Sequence, residues 1–220
     1  MSLPPKYQIS QQDQGLSVQV RALTPKPFAM AFSDPKFKTR LQPHNLRAEL
    51  LIKAIGGSKY RTVLDTTAGL GRDSLLMASI VEKIVLLERH PDMYQLLVDA
   101  LKRSELDQDL MPTLQKITLL PQCAFDFLGT YTGNKFDVIY CDPMFPERKK
   151  SALTKKESQI LQAVVGPDAD SHQLVALALQ HAQARVVVKR PMGSDTLVRK
   201  PDVQYKARAH RFDVYLCHSK

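Results

Sequence analysis

From Arg61 onward, short apolar runs alternate with stretches whose apolar residues recur at helical spacing. Thr62-Val63-Leu64 is an apolar run ending in Asp65, and a helical pattern follows from about Asp73 to Val81. Lys83 to Leu87 reads as a second strand closed by Glu88, and Pro91 to Lys102 as an amphipathic helix. Ile117 to Leu120, Phe136 to Cys141 and Arg185 to Lys189 read as further strands, the last after a helix over Ser171 to Ala182. Strands alternating with helices predict a doubly wound α/β fold, with a mostly parallel sheet covered on both faces. Val203 to Tyr205 and Arg211 to Leu216 are strand-like with no room for a helix between them. An antiparallel hairpin is therefore expected to end the sheet.

The first forty residues follow a different pattern, rich in Pro and Gln. One alternating run, Leu16 to Val20, predicts a short strand, while Pro25, Pro27, Pro35 and Pro43 predict loops. Leu46, Leu50 and Ala54 then keep helical spacing over about Asn45 to Ile55, and Gly56-Gly57 is a plausible stop. The chain thus divides into a small extension over residues 1–57 and an α/β domain over 58–220. No internal repeat interrupts either part.

Composition narrows the class. Hydrophobic residues at 44% and charged residues at 24% are ordinary globular values for 220 residues, which exclude wholesale disorder. No apolar run approaches the roughly 20 residues of a membrane span, and Met-Ser-Leu-Pro-Pro-Lys has no apolar core of a secretory signal. Cys123, Cys141 and Cys217 are odd in number and form no Cys-x-x-Cys pair. That pattern predicts a reduced, cytoplasmic setting and argues against a disulfide scaffold. The six histidines show no ligand spacing, so no metal is expected.

Charge changes the picture further. The net charge of +9 favours polyanion partners, because each neutralised phosphate releases condensed counterions. Arg148, Lys149, Lys150, Lys155 and Lys156 form one basic segment. From Arg185 onward, nine basic residues stand against three acidic ones.

Candidate chemistry falls at the strand ends, where ligands of such sheets sit. Between the first strand and helix lies Asp65-Thr-Thr-Ala-Gly-Leu-Gly71-Arg-Asp73. Gly69 and Gly71 permit positive φ and close backbone approach, and the helix start offers N–H groups to an anion. A dinucleotide fingerprint would place a third glycine where Asp73 and Ser74 stand. An acidic residue followed by this Gly-x-Gly spacing is instead what S-adenosylmethionine methyltransferases carry. Glu88, seventeen residues after Gly71, can accept both ribose hydroxyls. Where many methyltransferases have Asp-Ala after the third strand, this chain has Cys123-Ala124, with Asp126 the nearby carboxylate. Ala124 and Phe125 are expected against the adenine.

The fourth strand ends in Asp142-Pro143-Met144-Phe145-Pro146, a variant of the [Asp/Asn]-Pro-Pro-aromatic motif of methyltransferases acting on exocyclic base amines. An aryl amine is a poor nucleophile because its lone pair is delocalised into the ring. The Asp142 side chain and the Pro143 carbonyl can accept its two N–H bonds as it pyramidalises, and Phe145 can stack on the extruded base. Cys141 next door suggests a covalent mechanism, but strand alternation points its thiol to the opposite face.

At these residues the sequence resembles the ribosomal RNA small subunit methyltransferase J family. The matching stretches are T-A-G-L-G-R-D (67–73), L-E-R (87–89), D-P-M-F-P (142–146), K-S-A-L-T-K-K-E (150–157), V-G-P-D-A-D (165–170), R-V-V-V-K-R-P (185–191) and H-R-F-D-V-Y (210–215). The resemblance implies a Rossmann-like class I methyltransferase that moves a methyl group from S-adenosyl-L-methionine to N2 of a guanosine in the 3′-terminal part of 16S rRNA. The rRNA or the small ribosomal subunit would be the partner. By match of motif, Arg72, Asp73, Glu88, Arg89, Ala124, Phe125 and Asp142 would contact the cofactor. One departure is that Lys36 to Arg47, basic as in the family, contains no glycine. The alternatives are an N6-adenine methyltransferase, a NAD-dependent oxidoreductase on the same fold, and an RNA-binding module without catalysis.

Overall fold

A computed structural model describes residues 6–24, 26–144, 156–166 and 170–217. At the N-terminus, β1 (Tyr7–Gln12), β2 (Gly15–Val20) and β3 (Phe28–Ala29) form an antiparallel sheet of their own. Only β2 is expected from its alternation. In β1 the run Tyr-Gln-Ile-Ser-Gln-Gln carries too few apolar residues to announce a strand, and its pairing with β2 makes it one.

Three short helices follow: α1 (Pro35–Leu41), α2 (Pro43–Ala48) and α3 (Leu50–Ile55). Two expectations are corrected here. Pro35 and Pro43 begin helices rather than loops, because a proline in the first turn gives up an N–H that has no helical partner anyway. Asp34 caps α1 by accepting the Lys36 N–H at 2.8 Å. The single helix expected over Asn45 to Ile55 is broken at Glu49, whose ψ of 127° leaves the helical region. The Glu49 carboxylate there accepts both Nε and Nη2 of Arg40, at 2.6 and 3.0 Å. Gly56, with φ of 93°, ends α3 in the left-handed conformation that favours glycine.

The second part comprises β4 (Thr62–Asp65), α4 (Arg72–Ala78), β5 (Lys83–Leu87), α5 (Pro91–Ser104), α6 (Met111–Leu114), β6 (Ile117–Leu120), α7 (Ala124–Thr130) and β7 (Phe136–Cys141). It continues with α8 (Lys156–Val165), α9 (Ser171–His181), β8 (Ala182–Pro191), β9 (Val203–Lys206) and β10 (His210–Leu216). Among the described residues its sheet has the order β6-β5-β4-β7-β8-β10-β9. Pairs from β6 through β8 are parallel, while β10 is antiparallel to both β8 and β9. This is the Rossmann-like arrangement expected, with the C-terminal hairpin turned so that β10 lies inside and β9 forms the edge.

Alternation along the strands divides the core. Val63, Ile84, Leu86, Val138, Tyr140 and Val187 pack on one face with Leu75 and Met77 of α4 and Leu96 and Leu97 of α5. Leu64, Val85, Leu87, Ile139, Cys141, Val186 and Val188 face the other way, against Ala124, Leu128, Leu174, Val175 and Ala178. Each fully buried leucine or methionine contributes roughly 1.5–3 kcal/mol of transfer free energy. Val18, Phe32, Phe37 and Ile55 belong to the first of these clusters, so the N-terminal segment shares its core with the sheet. It is also tied to α5 by polar contacts, with Tyr7 Oη donating to Asp92 at 2.7 Å and the Leu16 N–H to Asp99 at 3.0 Å. None of the described helices is long and apolar enough to cross a membrane.

The chain runs outward from β4 to β5 and β6, then returns to place β7 on the other side of β4. That reversal opens a crevice at the carboxyl ends of β4 and β7.

Candidate active site

The crevice is floored by the turn between β4 and α4, and hydrogen bonds to the ends of β5 and β7 hold that turn. Thr66 donates its N–H and its hydroxyl to the Tyr140 carbonyl at 3.0 and 2.8 Å. The Ala68 N–H donates to the Leu87 carbonyl at 3.0 Å, and the Gly69 N–H to Glu88 Oε2 at 2.9 Å. Gly69 and Gly71 have φ of 52° and 70°. A Cβ on Gly71 would stand 2.7 Å from Leu97 Cδ1, so neither backbone nor packing admits a side chain there.

Asp65 and Glu88 both lie under the turn, with different neighbours. Asp65 accepts the Thr67 N–H at 3.0 Å and the Ser74 hydroxyl at 2.6 Å, and it is 1% exposed. Burial pushes its carboxyl up to about 7, against the pull of those two hydrogen bonds. Glu88 accepts from Gly69 and, through Oε1, from the His90 N–H at 2.8 Å. Burial raises its proton affinity too, opposed by the same backbone donors. Each oxygen keeps acceptor capacity beyond these bonds, and Glu88 reaches the crevice wall.

The acceptor motif meets the turn directly. The Asp142 N–H donates to Thr67 Oγ1 at 2.7 Å. Pro143 is buried behind it, and Met144 lines the crevice. Lys189, at the end of β8, donates 2.8 Å bonds to Oδ2 of Asp142 and Oδ2 of Asp73. The Tyr140 hydroxyl adds a 2.8 Å bond to the same Asp73 oxygen. Burial works against ionised Asp73, yet Lys189 and the Tyr140 hydroxyl hold its carboxyl below the usual range. Asp142 is raised, first by burial and then by the neighbouring Asp73 charge, because two carboxylates share one ammonium.

The crevice gathers Asp65, Gly69, Gly71, Arg72, Asp73, Glu88, Arg89, Ala124, Phe125 and Asp142, all of which were singled out in the sequence. Arg72 lies over the Phe37 ring and donates to Glu157 at 2.8 Å, and Arg89 donates to Asp170 at 3.3 Å. Cys123 stands beside Ala124 and Phe125 in the wall, whereas Asp126 is exposed outside it. Cys141 is fully buried in the opposite core, where burial pushes its thiol up to about 12. Phe145, Arg148, Lys149, Lys150 and Lys155, together with the side chain of Lys156, lie outside the described residues.

Sequence reasoning missed Lys189, Tyr140, Thr67 and Arg40, all on the crevice wall. For Lys189 a signal was present, since it ends an apolar strand at the ligand-binding edge. Along the sequence its charge merges with the basic C-terminal third. Much of that charge is used internally. Arg185 donates to the Ala54 carbonyl at 2.9 Å, Arg190 to the Asp195 carbonyl at 2.6 Å, and Arg211 forks Asp213 at 2.8 and 3.0 Å.

Comparisons with known proteins bear on this geometry. Residues 4–217 match a family described as SAM-dependent methyltransferase. A ribosomal RNA small subunit methyltransferase J from Thioalkalivibrio sulfidiphilus is 41% identical over 207 residues, covering 92% of this chain and 81% of its own. Another of that name from Coxiella burnetii is 45% identical over 173 residues, covering 77% and 67%. The crystal structure of a SAM-dependent methyltransferase from Neisseria gonorrhoeae superposes with a TM-score of 0.76 at 29% identity, over all of this chain and 87% of that one.

Proposed function

The chain belongs to the ribosomal RNA small subunit methyltransferase J family of SAM-dependent methyltransferases, and from that premise we propose that it methylates the exocyclic N2 amine of a guanosine in the 3′-terminal part of 16S rRNA. Its cofactor is S-adenosyl-L-methionine. The observation that carries the amine reading is the 2.7 Å bond from the Asp142 N–H to Thr67, which joins the acceptor motif to the glycine turn.

The residues present suit this cofactor. Gly69 and Gly71 take the left-handed φ that the turn beside the crevice needs, and Glu88 offers acceptors where a ribose needs them. Ala124 and Phe125 supply an apolar wall for the adenine. When bound, the cofactor supplies a methyl group made electrophilic by its sulfonium.

This chain's own task is to present the amine. Asp142 accepts one N–H bond and the Pro143 carbonyl the other, which holds the nitrogen as it pyramidalises and stabilises the positive charge that develops. Asp142 is also positioned to take the proton released once the new N–C bond forms. Most of the rate should come from alignment, since oriented encounter supplies several kcal/mol. Phe145 would stack on the extruded base, and Arg148, Lys149, Lys150, Lys155 and Lys156 would meet flanking phosphates, contacts that position without reading sequence.

The test is methylation of small subunits and of naked 16S rRNA with isotopically labelled S-adenosylmethionine, followed by digestion to nucleosides. N2-methylguanosine is the expected product. Label in N6-methyladenosine would overturn the guanine reading and favour the adenine one.

A further inference from the structure

Lys189 is the cation at the meeting point of the two halves of the crevice. The register pairs Cys141 of β7 with Val188 of β8, so Lys189 stands one step further along, beside Asp142. Alternation turns Lys189, Asp142 and Tyr140 toward the face covered by α4, which contributes Asp73. We infer that Lys189 is a positioning residue for methyl transfer, tying the carboxylate of the cofactor turn to the carboxylate of the acceptor motif. The inference rests on the reading of Asp142 as the amine acceptor.

The geometry gives the clamp two consequences. Because Lys189 takes Oδ2 of Asp142 and Oδ2 of Asp73, it sets the separation between donor and acceptor sides of the site. By occupying one oxygen of Asp142 it orients the carboxylate and leaves the amine Oδ1. The second consequence is electrical. A protonated Asp142 would offer a donor to the nitrogen lone pair that must attack the methyl. Two carboxylates reached by one ammonium lie within a few ångströms of each other, and without that cation their mutual repulsion would make one of them hold its proton. The ammonium offsets that repulsion. Burial works against its own charge, but the two carboxylates outweigh that cost and raise Lys189 above its ordinary value.

Other charges face this cluster. Asp142 also feels the charges of Asp73 and His210, and its own charge bears on Asp65. Asp73 is faced by the Tyr140 hydroxyl and by Arg40 of α1, which is itself forked by Glu49. Lys189 is the one of these that bonds to both carboxylates. The three side chains retain 24–35% exposure, so the cluster opens to the crevice rather than sealing the core.

The experiment compares wild type with Lys189→Met and Lys189→Arg. Turnover on small-subunit rRNA is followed against pH, and ¹³C-carboxyl resonances of Asp73 and Asp142 are titrated in the same proteins. In Lys189→Met, kcat at pH 7 should fall about tenfold or more, the scale of a lost electrostatic contact in a site. Its acidic limb should move up by about one unit or more, in step with a raised carboxylate titration. Lys189→Arg keeps the cation and should restore the limb, with kcat partly recovered. An unmoved limb with unmoved carboxylate titrations in Lys189→Met would overturn the inference, as would equal damage in both variants. If wild type methylates no rRNA, the substrate reading fails, and the titrations still decide the clamp. Should Lys189→Met not fold, Lys189→Gln takes its place in the same titrations.

Discussion

The carboxylate of Glu88, at the end of β5, accepts the backbone N–H of Gly69, nineteen residues earlier in the turn after β4. A second bond from the His90 N–H fixes its other oxygen. Glu88 is thus part of the frame of the turn as well as a candidate ribose acceptor.

Glu88→Ala should therefore act twice. Loss of a charged hydrogen bond to the ribose weakens binding by about 1–3 kcal/mol, read by calorimetry with S-adenosylhomocysteine. The freed N–H of Gly69 should also lower the melting temperature of the protein without ligand. Unchanged affinity would remove Glu88 from the ribose site and leave it the structural role alone.

Asp142→Ala should nearly abolish turnover, by about 10²–10³-fold, the range for removing one transition-state hydrogen-bonding partner. Binding of RNA should survive, because the contact strengthens as the amine pyramidalises. Filter binding beside single-turnover kinetics separates the two. A parallel fall in both would make Asp142 a binding or folding residue.

Asp65 predicts a pH dependence of stability. Burial holds its folded carboxyl near 7, above the ordinary value of 3.8. The folded state then keeps a proton that the unfolded chain releases, so the contribution of Asp65 is full below about pH 4 and is lost as pH rises through 7. Asparagine mimics the neutral acid. Urea unfolding of the apoprotein should show Asp65→Asn gaining on wild type between pH 5 and pH 8. A difference that stays constant over that range would mean Asp65 is ionised throughout.

Cys141→Ala should leave methyl transfer intact. The thiol is fully buried on the sheet face away from Asp142, and burial keeps it protonated at neutral pH. Folded protein should resist alkylation at Cys141, measured by mass spectrometry of the digested chain. An inactive Cys141→Ala that folds normally would reopen the covalent mechanism.

Much of the fold was legible because its signals are local. The strands Lys83–Leu87, Ile117–Leu120 and Phe136–Cys141 follow their apolar runs, and the Gly69 and Gly71 turn follows from residues that permit positive φ. Short polar elements were not legible. β1 exists through pairing with β2, and the break at Glu49 goes with a fork from Arg40 that helical spacing does not encode.

The alternating order of elements, the glycine turn and the Asp142-Pro143 motif can be read along the chain, since periodicity and turn chemistry are properties of neighbouring residues. The placement of β7 beside β4, of β10 inside β9, and of Lys189 within reach of both Asp142 and Asp73 depends on contacts between residues far apart in the chain. Those two carboxylates are 47 and 116 residues from it along the chain. Strand register sets Asp142 beside Lys189, and the packing of α4 on the same sheet face brings Asp73 to that ammonium.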